Sequence, residues 1–360
     1  MDIFEFAGTH AEVGRQHGEQ LRERLTASIE KRMERCVRAS RAAGNELSVE
    51  QVRGLAGRCL SHLRAFSPGL TEELEGIAAA AGGCLEDVFL AAGYTDVVDV
   101  VRRAGAGAFD AGCTALWAGP EATVDASAFV GQTWDMFAEA IDDVLALRIK
   151  VDGEPELICL SYAGCVGMMG ANAEGVVLAA NNLRPNNARP GVPWVFQCRA
   201  ILAQKNAEDA FAAMRKAHLC SGHNFLIADG TGAAMSIETT GEQYLRIDPA
   251  GSVFAHANHY LAEAGRQVEL PASRFSCSPH RHRRMQQLLD AQIGRIDRAY
   301  LERSLADRDG DPRCISSSGY AVGSGAKVAT CAAIIANATT REVALVHGPP
   351  SAGDFQTVRL

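Results

Sequence analysis

Ala104-Gly105-Ala106-Gly107-Ala108-Phe109-Asp110-Ala111-Gly112 runs directly into Cys113-Thr114-Ala115-Leu116-Trp117. The first stretch is small and uncharged apart from Asp110, which predicts a mobile loop over 104–112. The second predicts a strand over 114–117. Helical patterning lies upstream of this junction and period-two patterning lies downstream. A cysteine stands where the two meet.

Upstream, residues 12–41 are rich in Arg, Glu, Gln and Leu with few breakers, and read as helix. Ser48 with Gln51 makes a capping box for a helix running to Phe66. Ser67-Pro68 starts another, which stops at Gly82-Gly83. A short helix is expected over 85–92. Downstream, Leu145, Leu147, Ile149 and Val151 alternate with Val144, Ala146, Arg148 and Lys150, and Asp152-Gly153 turns the chain into a strand over 157–162. The pattern recurs where 225–228 and 233–238 flank Asp229-Gly230-Thr231-Gly232, and again over 330–335 and 342–346. Repeated hairpins predict antiparallel sheet, not a doubly wound fold. Helices over 194–204, 208–217 and 281–291 are expected to cover the sheets. The fold class is α+β, with a helical N-terminal third packed on a sheet-rich remainder.

Of the 360 residues, 47 % are hydrophobic and 22 % charged, the balance of a globular protein with a substantial core. The formal net charge of −8 argues against a nucleic-acid partner, which needs a basic face. No apolar run approaches the roughly 20 residues that span a bilayer. Met1-Asp2-Ile3-Phe4-Glu5-Phe6 lacks the basic and apolar regions of a secretion signal, so a cytoplasmic protein without a membrane partner is expected. The eleven cysteines are scattered and form no C-x-x-C pair, so neither a disulfide framework nor a zinc site is expected. The basic run His280-Arg281-His282-Arg283-Arg284 reads as a solvated helix start, with a phosphate contact as the sharper alternative.

Glycine before Cys113 has a chemical meaning. It lets a nucleophile approach its carbonyl closely. Attack of the Cys113 thiol on the Gly112 carbonyl gives a thioester, and hydrolysis leaves Cys113 as a new N-terminus. A free α-amine has a pKa of about 7.7–8.0 and a thiol about 8.5, so the amine can take the thiol proton without a separate histidine. The triplet Gly112-Cys113-Thr114 alone equally describes a buried strand cysteine.

In order along the chain, Gly112-Cys113-Thr114 is followed by Gly131-Gln132-Thr133-Trp134-Asp135, Gly170-Ala171-Asn172 with Gly175, and Asn181-Asn182-Leu183. Then come the run from His223 through Asn224 and Phe225 to Asp229, His256-Ala257-Asn258-His259, and His347-Gly348-Pro349-Pro350, with an early Gly8, Gly14, Gly18 spacing. Taken together these motifs resemble the acyl-coenzyme A:6-aminopenicillanic acid (isopenicillin N) acyltransferase family of N-terminal-nucleophile cysteine hydrolases.

The resemblance implies a four-layer αββα core. It also implies self-cleavage between Gly112 and Cys113 into a helical fragment, 1–112, and a catalytic fragment, 113–360, that together form one structural domain. It makes Cys113 the nucleophile, Asn258 the oxyanion donor, and Asp135 the group that orients and charge-balances the new ammonium. Thr114, Trp134 and His223 become possible site residues, Trp134 as pocket wall and His223 as either a substrate contact or a structural histidine. Thr133 replaces the family's usual asparagine. The family's C-terminal arginine has Arg313, beside Cys314-Ile315-Ser316-Ser317, as its nearest counterpart: either Arg313 takes over its role or that role is missing.

The expected function is a cofactor-independent amidohydrolase for a small N-acyl amine, amino acid or peptide amide. An acyl-coenzyme A-dependent N-acyltransferase is the alternative, and a non-catalytic binding or scaffold relative is the second. His256 and His259 have the spacing of metal ligands but no H-E-x-x-H helix, and no metal is implied. Gly323-Ser324-Gly325-Ala326-Lys327 lacks the spacing of a phosphate loop.

Overall fold

In the computed structural model, residues 1–102, 112–272, 276–322 and 325–360 are described. The expected loop over 104–112 lies outside them except for Gly112, as do Gly323 and Ser324. The strand expected after the loop begins at the cysteine itself, spans Cys113–Ala118, and is buried throughout.

That strand is interior to a seven-stranded sheet. Its antiparallel neighbours are Val253–His256 on one side and Phe129–Phe137 on the other. The sheet continues through Lys327–Asn337, Glu342–His347 and Gln356–Arg359, and Tyr320–Ala321 pairs at its side. Register sets Cys113 opposite Trp134 and Thr330 opposite Asp135. The register slips between Thr330 and Ala332, a bulge beside Asp135 of the kind that re-aims side chains near active sites.

The eight-stranded sheet runs in spatial order Ile3–Gly8, Val144–Val151, Leu157–Tyr162, Gly170–Asn172, Val177–Leu183, Gly222–Ala228, Ala234–Thr239 and Tyr244–Ile247. All its pairings are antiparallel except the first, where Ile3–Gly8 lies parallel to Val144–Val151. The hairpin patterns located Val144–Val151, Leu157–Tyr162, Gly222–Ala228 and Ala234–Thr239, but contain nothing about a partner for the N-terminal strand. Gln132 joins the two sheets: its Nε2 donates to the Ala180 carbonyl at 2.6 Å and its Oε1 accepts from the Ala180 N–H at 2.7 Å.

Among the described residues six helices precede the cysteine: His10–Gln20, Arg22–Ala42, Val49–Phe66, Pro68–Ala81, Leu85–Ala92 and Tyr94–Arg102. Ser48 and Gln51 form the expected capping box, and Gly82 closes Pro68–Ala81 in the left-handed conformation at φ 74°. The helix expected over 12–41 is interrupted at Leu21, whose backbone leaves the helical region (φ −113°, ψ 16°) while its side chain is buried. The early glycines allow close packing. A Cβ on Gly14 would fall on the Glu73 carbonyl and one on Gly76 would approach the Ala11 carbonyl at 2.6 Å, so His10–Gln20 and Pro68–Ala81 meet backbone to backbone.

Apolar burial completes the layering. Leu116, Phe129 and Ile335 of the seven-stranded sheet pack with Met285, Leu289, Leu301 and Leu305 of the helices Ser278–Asp290 and Arg298–Leu305. A larger cluster joins the inner sheet faces to the N-terminal helices and to Trp194–Leu202. The result is an αββα sandwich, the architecture that the resemblance implies. Among the described residues no helix is long and apolar enough to cross a membrane.

Candidate active site

The Gly112–Cys113 peptide is held on both sides. The Gly112 carbonyl accepts from the Asp135 backbone N–H at 2.7 Å, and the Cys113 N–H donates to Asn258 Oδ1 at 2.7 Å. One donor polarises the carbonyl and one acceptor fixes the amide N–H, so the peptide plane is held in a single orientation. Asn258 is itself fixed, since its Nδ2 donates to the Asn182 carbonyl at 3.0 Å and its backbone N–H to Ser278 Oγ at 2.7 Å.

Arg281 organises this group. Its Nη1 donates to the Cys113 carbonyl at 2.6 Å and to Thr114 Oγ1 at 2.9 Å, its Nη2 to Asn258 Oδ1 at 2.8 Å, and its Nε to Cys277 Sγ at 3.2 Å. It is only 2 % exposed. Burial works against its charge, but Cys277 and Asp135 outweigh that and hold it protonated. The basic run is therefore not simply a solvated helix start. Arg281 points inward with Met285 and Leu289, while Arg284 pairs with Asp307 and His280 with Asp309 at the surface. Arg313, the nearest counterpart in sequence of the family's arginine, lies over Tyr320 with its guanidinium 5.6 Å from the ring centroid; the contacts to Cys113, Thr114 and Asn258 come from Arg281. Sequence reasoning missed Arg281; the signal that could have found it is that residues 281, 285 and 289 share one helix face and two of them are apolar.

A Cβ on Gly112 would lie 2.7 Å from Arg281 Nη2 and 3.1 Å from Asp135 Oδ2, so only glycine leaves room for both charges beside the peptide. Asp135 accepts from Thr330 Oγ1 at 2.7 Å. Burial raises its pKa to about 6, against the opposing pull of Arg281 and Thr330. Burial, then the Asp135 charge, pushes the Cys113 thiol up to about 12. In the intact chain the thiol is thus neutral. Thr133, the departure from the family pattern, is buried and accepts the Thr114 N–H at 3.3 Å.

A narrow cavity of about 30 Å³ lies against Gly112, Cys113 and Asp135. Trp134, Met136, Trp194 and His223 form much of its wall. His223 stacks on Trp194 with ring centroids 5.2 Å apart, and burial lowers its pKa to about 3. It faces Asp96 at 3.9 Å, whose own pKa is raised well above the ordinary range by burial and then Asp99. The wall is therefore uncharged here. Asn182 also lines the cavity, and its Oδ1 is buried without a partner. The two histidines with metal-like spacing serve elsewhere: His256 Nε2 meets Glu238 at 2.8 Å and His259 Nδ1 meets Ser278 Oγ at 2.7 Å.

Comparison with known proteins agrees with this architecture. A mutant form of the conjugated bile acid hydrolase from Clostridium perfringens superposes with a TM-score of 0.50 at 12 % identity, covering 69 % of this chain and 92 % of that one. At that identity the likeness is one of fold. The 40 kDa form of acyl-coenzyme A:6-aminopenicillanic-acid-acyltransferase from Emericella nidulans is 25 % identical over 186 residues, 51 % of this chain and 50 % of that protein. The chain thus aligns with about half the length of this curated relative. Residues 122–350, a span that contains Asp135, Asn258 and Arg281, match the family described as acyl-coenzyme A:6-aminopenicillanic acid acyl-transferase. With most of its length matched, the chain belongs to that family.

Proposed function

We propose that the chain is a self-processing N-terminal-nucleophile cysteine amidohydrolase acting on a small N-acyl amine, amino acid or peptide amide. The observation that carries the reading is the Gly112–Cys113 peptide, gripped by Asp135 N–H and Asn258 Oδ1 at 2.7 Å each and bordered by a narrow cavity. In the first step the Cys113 sulfur bonds to the Gly112 carbonyl carbon, the C–N bond breaks, and the thiol proton ends on the departing α-amine. Water then hydrolyses the thioester, giving a Gly112 carboxylate and a free Cys113 thiol. The products are the fragments 1–112 and 113–360, which remain together as one domain.

The new amine replaces a peptide N–H, so Asn258 Oδ1 stays its hydrogen-bond acceptor and Asp135 balances its positive charge. With a pKa of about 7.7–8.0 against about 8.5 for an ordinary thiol, it can take the Cys113 proton near neutral pH; the rise to about 12 belongs to the uncut chain, where no such amine is present. Substrate then enters beside Trp134 and Trp194. The sulfur attacks its acyl carbon, the second N–H of Asn258 Nδ2, beside the one given to the Asn182 carbonyl, donates to the oxyanion, and the unpartnered Asn182 Oδ1 accepts the substrate amide N–H. The protonated amine returns its proton to the leaving nitrogen, and water completes hydrolysis. Thr114 and Arg281 fix the backbone that carries the sulfur. The proposed compartment is the cytoplasm, where thiols such as the buried Cys36, Cys159 and Cys198 stay reduced.

The name of the Emericella nidulans relative favours a second reading, in which an amine instead of water receives the acyl group. Intact mass and N-terminal sequencing of the purified protein, beside Cys113→Ala, test the first step. Two fragments, the larger beginning Cys113-Thr114-Ala115, with an uncut variant, are expected; a wild-type chain that stays whole refutes self-processing. Acyl-amide and acyl-thioester turnover with and without an added amine then separates hydrolysis from transfer.

A further inference from the structure

Two buried cysteines that the proposed mechanism does not use meet across the line of the cut. Cys59 lies in the helix Val49–Phe66, within residues 1–112, and Cys220 lies just before the strand Gly222–Ala228, within 113–360. Both thiols are free and fully buried. The backbone fixes how their segments meet. The Val192 N–H donates to the His218 carbonyl at 2.7 Å and the Arg189 N–H to the Cys220 carbonyl at 2.9 Å, so 189–192 and 218–220 lie side by side. A Cβ on Gly191 would fall 2.3 Å from the Leu219 carbonyl oxygen, so only glycine lets these segments close up, and the Gly191 N–H reaches the Cys59 sulfur. One helical turn beyond Cys59, His62 stacks on His218 with ring centroids 4.2 Å apart and 11° between planes. The helix and the segment 218–220 are thus in register, histidine on histidine and cysteine on cysteine.

The two sulfurs share a hydrogen bond in which Cys220 donates to Cys59. That bond pulls the Cys59 thiol down against its burial, while burial, then Cys59 and the nearby Asp96 and Asp99, push Cys220 well up. One sulfur is made the nucleophile and the other holds the proton, the asymmetry with which disulfide chemistry begins. Among the described residues no three histidine, cysteine or carboxylate side chains converge as a metal site, so this group of four does not hold an ion.

We propose that Cys59 and Cys220 form a redox pair whose disulfide joins fragment 1–112 covalently to fragment 113–360. Hydrogen peroxide is the oxidant. The Cys59 sulfur bonds to one peroxide oxygen, the O–O bond breaks, and the other oxygen leaves as water with the Cys59 proton, giving a sulfenic acid. The Cys220 sulfur then attacks the Cys59 sulfur, the S–S bond forms, and the sulfenic oxygen leaves as water with the Cys220 proton. Two thiols lose two electrons and two protons, and one peroxide becomes two waters. Closing the sulfurs from hydrogen-bond contact to a bond of about 2.05 Å needs a movement on the order of 1–2 Å. The joining of fragments rests on the self-processing reading above, but the bond itself can form in cut or uncut chain, and the test separates the two.

Purified wild type is treated with a slight excess of hydrogen peroxide or with dithiothreitol, unfolded in guanidinium with iodoacetamide, and weighed intact without further reductant. With dithiothreitol two alkylated fragments are expected. With peroxide one species is expected, at the summed mass of the fragments less two hydrogens at the unalkylated pair, and a peptide map should show Cys59 linked to Cys220. Cys59→Ala and Cys220→Ala should each give two fragments under both treatments. A second readout follows refolding from urea by tryptophan fluorescence. The oxidised protein should refold at a rate independent of its concentration, and the reduced protein should slow as it is diluted.

Two fragments under both treatments, or a map that links other cysteines, overturn the pair and leave self-processing standing. A whole chain that carries the Cys59–Cys220 link supports the pair and overturns self-processing. A whole chain without that link overturns both.

Discussion

Arg281 makes four hydrogen bonds from a buried position, two of them to the strand that begins at Cys113. Removing it leaves the Asn258 and Cys113 oxygens short of a donor and Asp135 without its cationic neighbour. Arg281→Met is therefore expected to slow fragment formation by about 10²-fold or more, the usual effect of losing a fixed polar donor at a reacting centre. Arg281→Lys keeps the charge but not the fork, and should fall between the two when followed by intact mass. Asp135 gives a pH dependence. Its pKa of about 6 makes it an anion above that value and a neutral acid below, where it no longer offsets the emerging ammonium. The processing rate should fall as pH drops through about 6; a rate flat down to pH 4 would remove Asp135 from the step. At this scale Cys113, Asp135 and Asn258 were legible because motif order placed them. Arg281 was not, since a run of five basic residues reads as solvated until the helix face is counted, and Arg313 drew attention only by lying near the expected motif.

Helix packing against helix is governed here by missing side chains. The carbonyls of Glu73 and Ile77 occupy the space that side chains at Gly14 and Gly18 would need. Gly14→Ala therefore has to push the helices His10–Gln20 and Pro68–Ala81 apart, with an expected loss of about 1–3 kcal/mol or more, read from the urea midpoint. Element-level features with local signals were readable: the Ser48 cap, the Pro68 start, the Gly82 stop and the hairpin turns. The strand Ile3–Gly8 was not, because its partner Val144–Val151 is distant in sequence and parallel. The bulge opposite Asp135 was equally hidden, since a register slip depends on the pairing of two strands and not on the residues of one.

Across the whole molecule, the helical third is tied to the helix Trp194–Leu202 by charge as well as apolar burial. Arg199 donates to Glu73 at 2.7 and 3.0 Å with both side chains buried, and His10 reaches the same carboxylate at 3.1 Å. Removing one member of such a pair typically costs about 3–5 kcal/mol, because the other is left charged and buried. Arg199→Met should therefore lower the urea midpoint more than Gly14→Ala does. The His10 pKa is raised to about 9 by Glu154 and Glu73. A base with a raised folded pKa contributes stability that is complete below its unfolded value near 6.5 and lost as pH climbs through the folded one. The melting temperature should thus decline between about pH 6.5 and 9, and His10→Gln should flatten that decline.

The Ile3–Gly8 strand is hydrogen-bonded into one sheet while the strand starting at Cys113 is interior to the other. A cut between Gly112 and Cys113 therefore alters the connectivity of the chain and leaves its shape in place, with each piece woven into the other. Unfolding is another matter. An intact chain that opens can close again by itself, whereas a cut one must wait for two polymers to meet, and at high dilution that wait is long. The proposed scission thus acts as a ratchet: once made, the lifetime of the molecule is set by how slowly it opens and no longer by how readily it refolds.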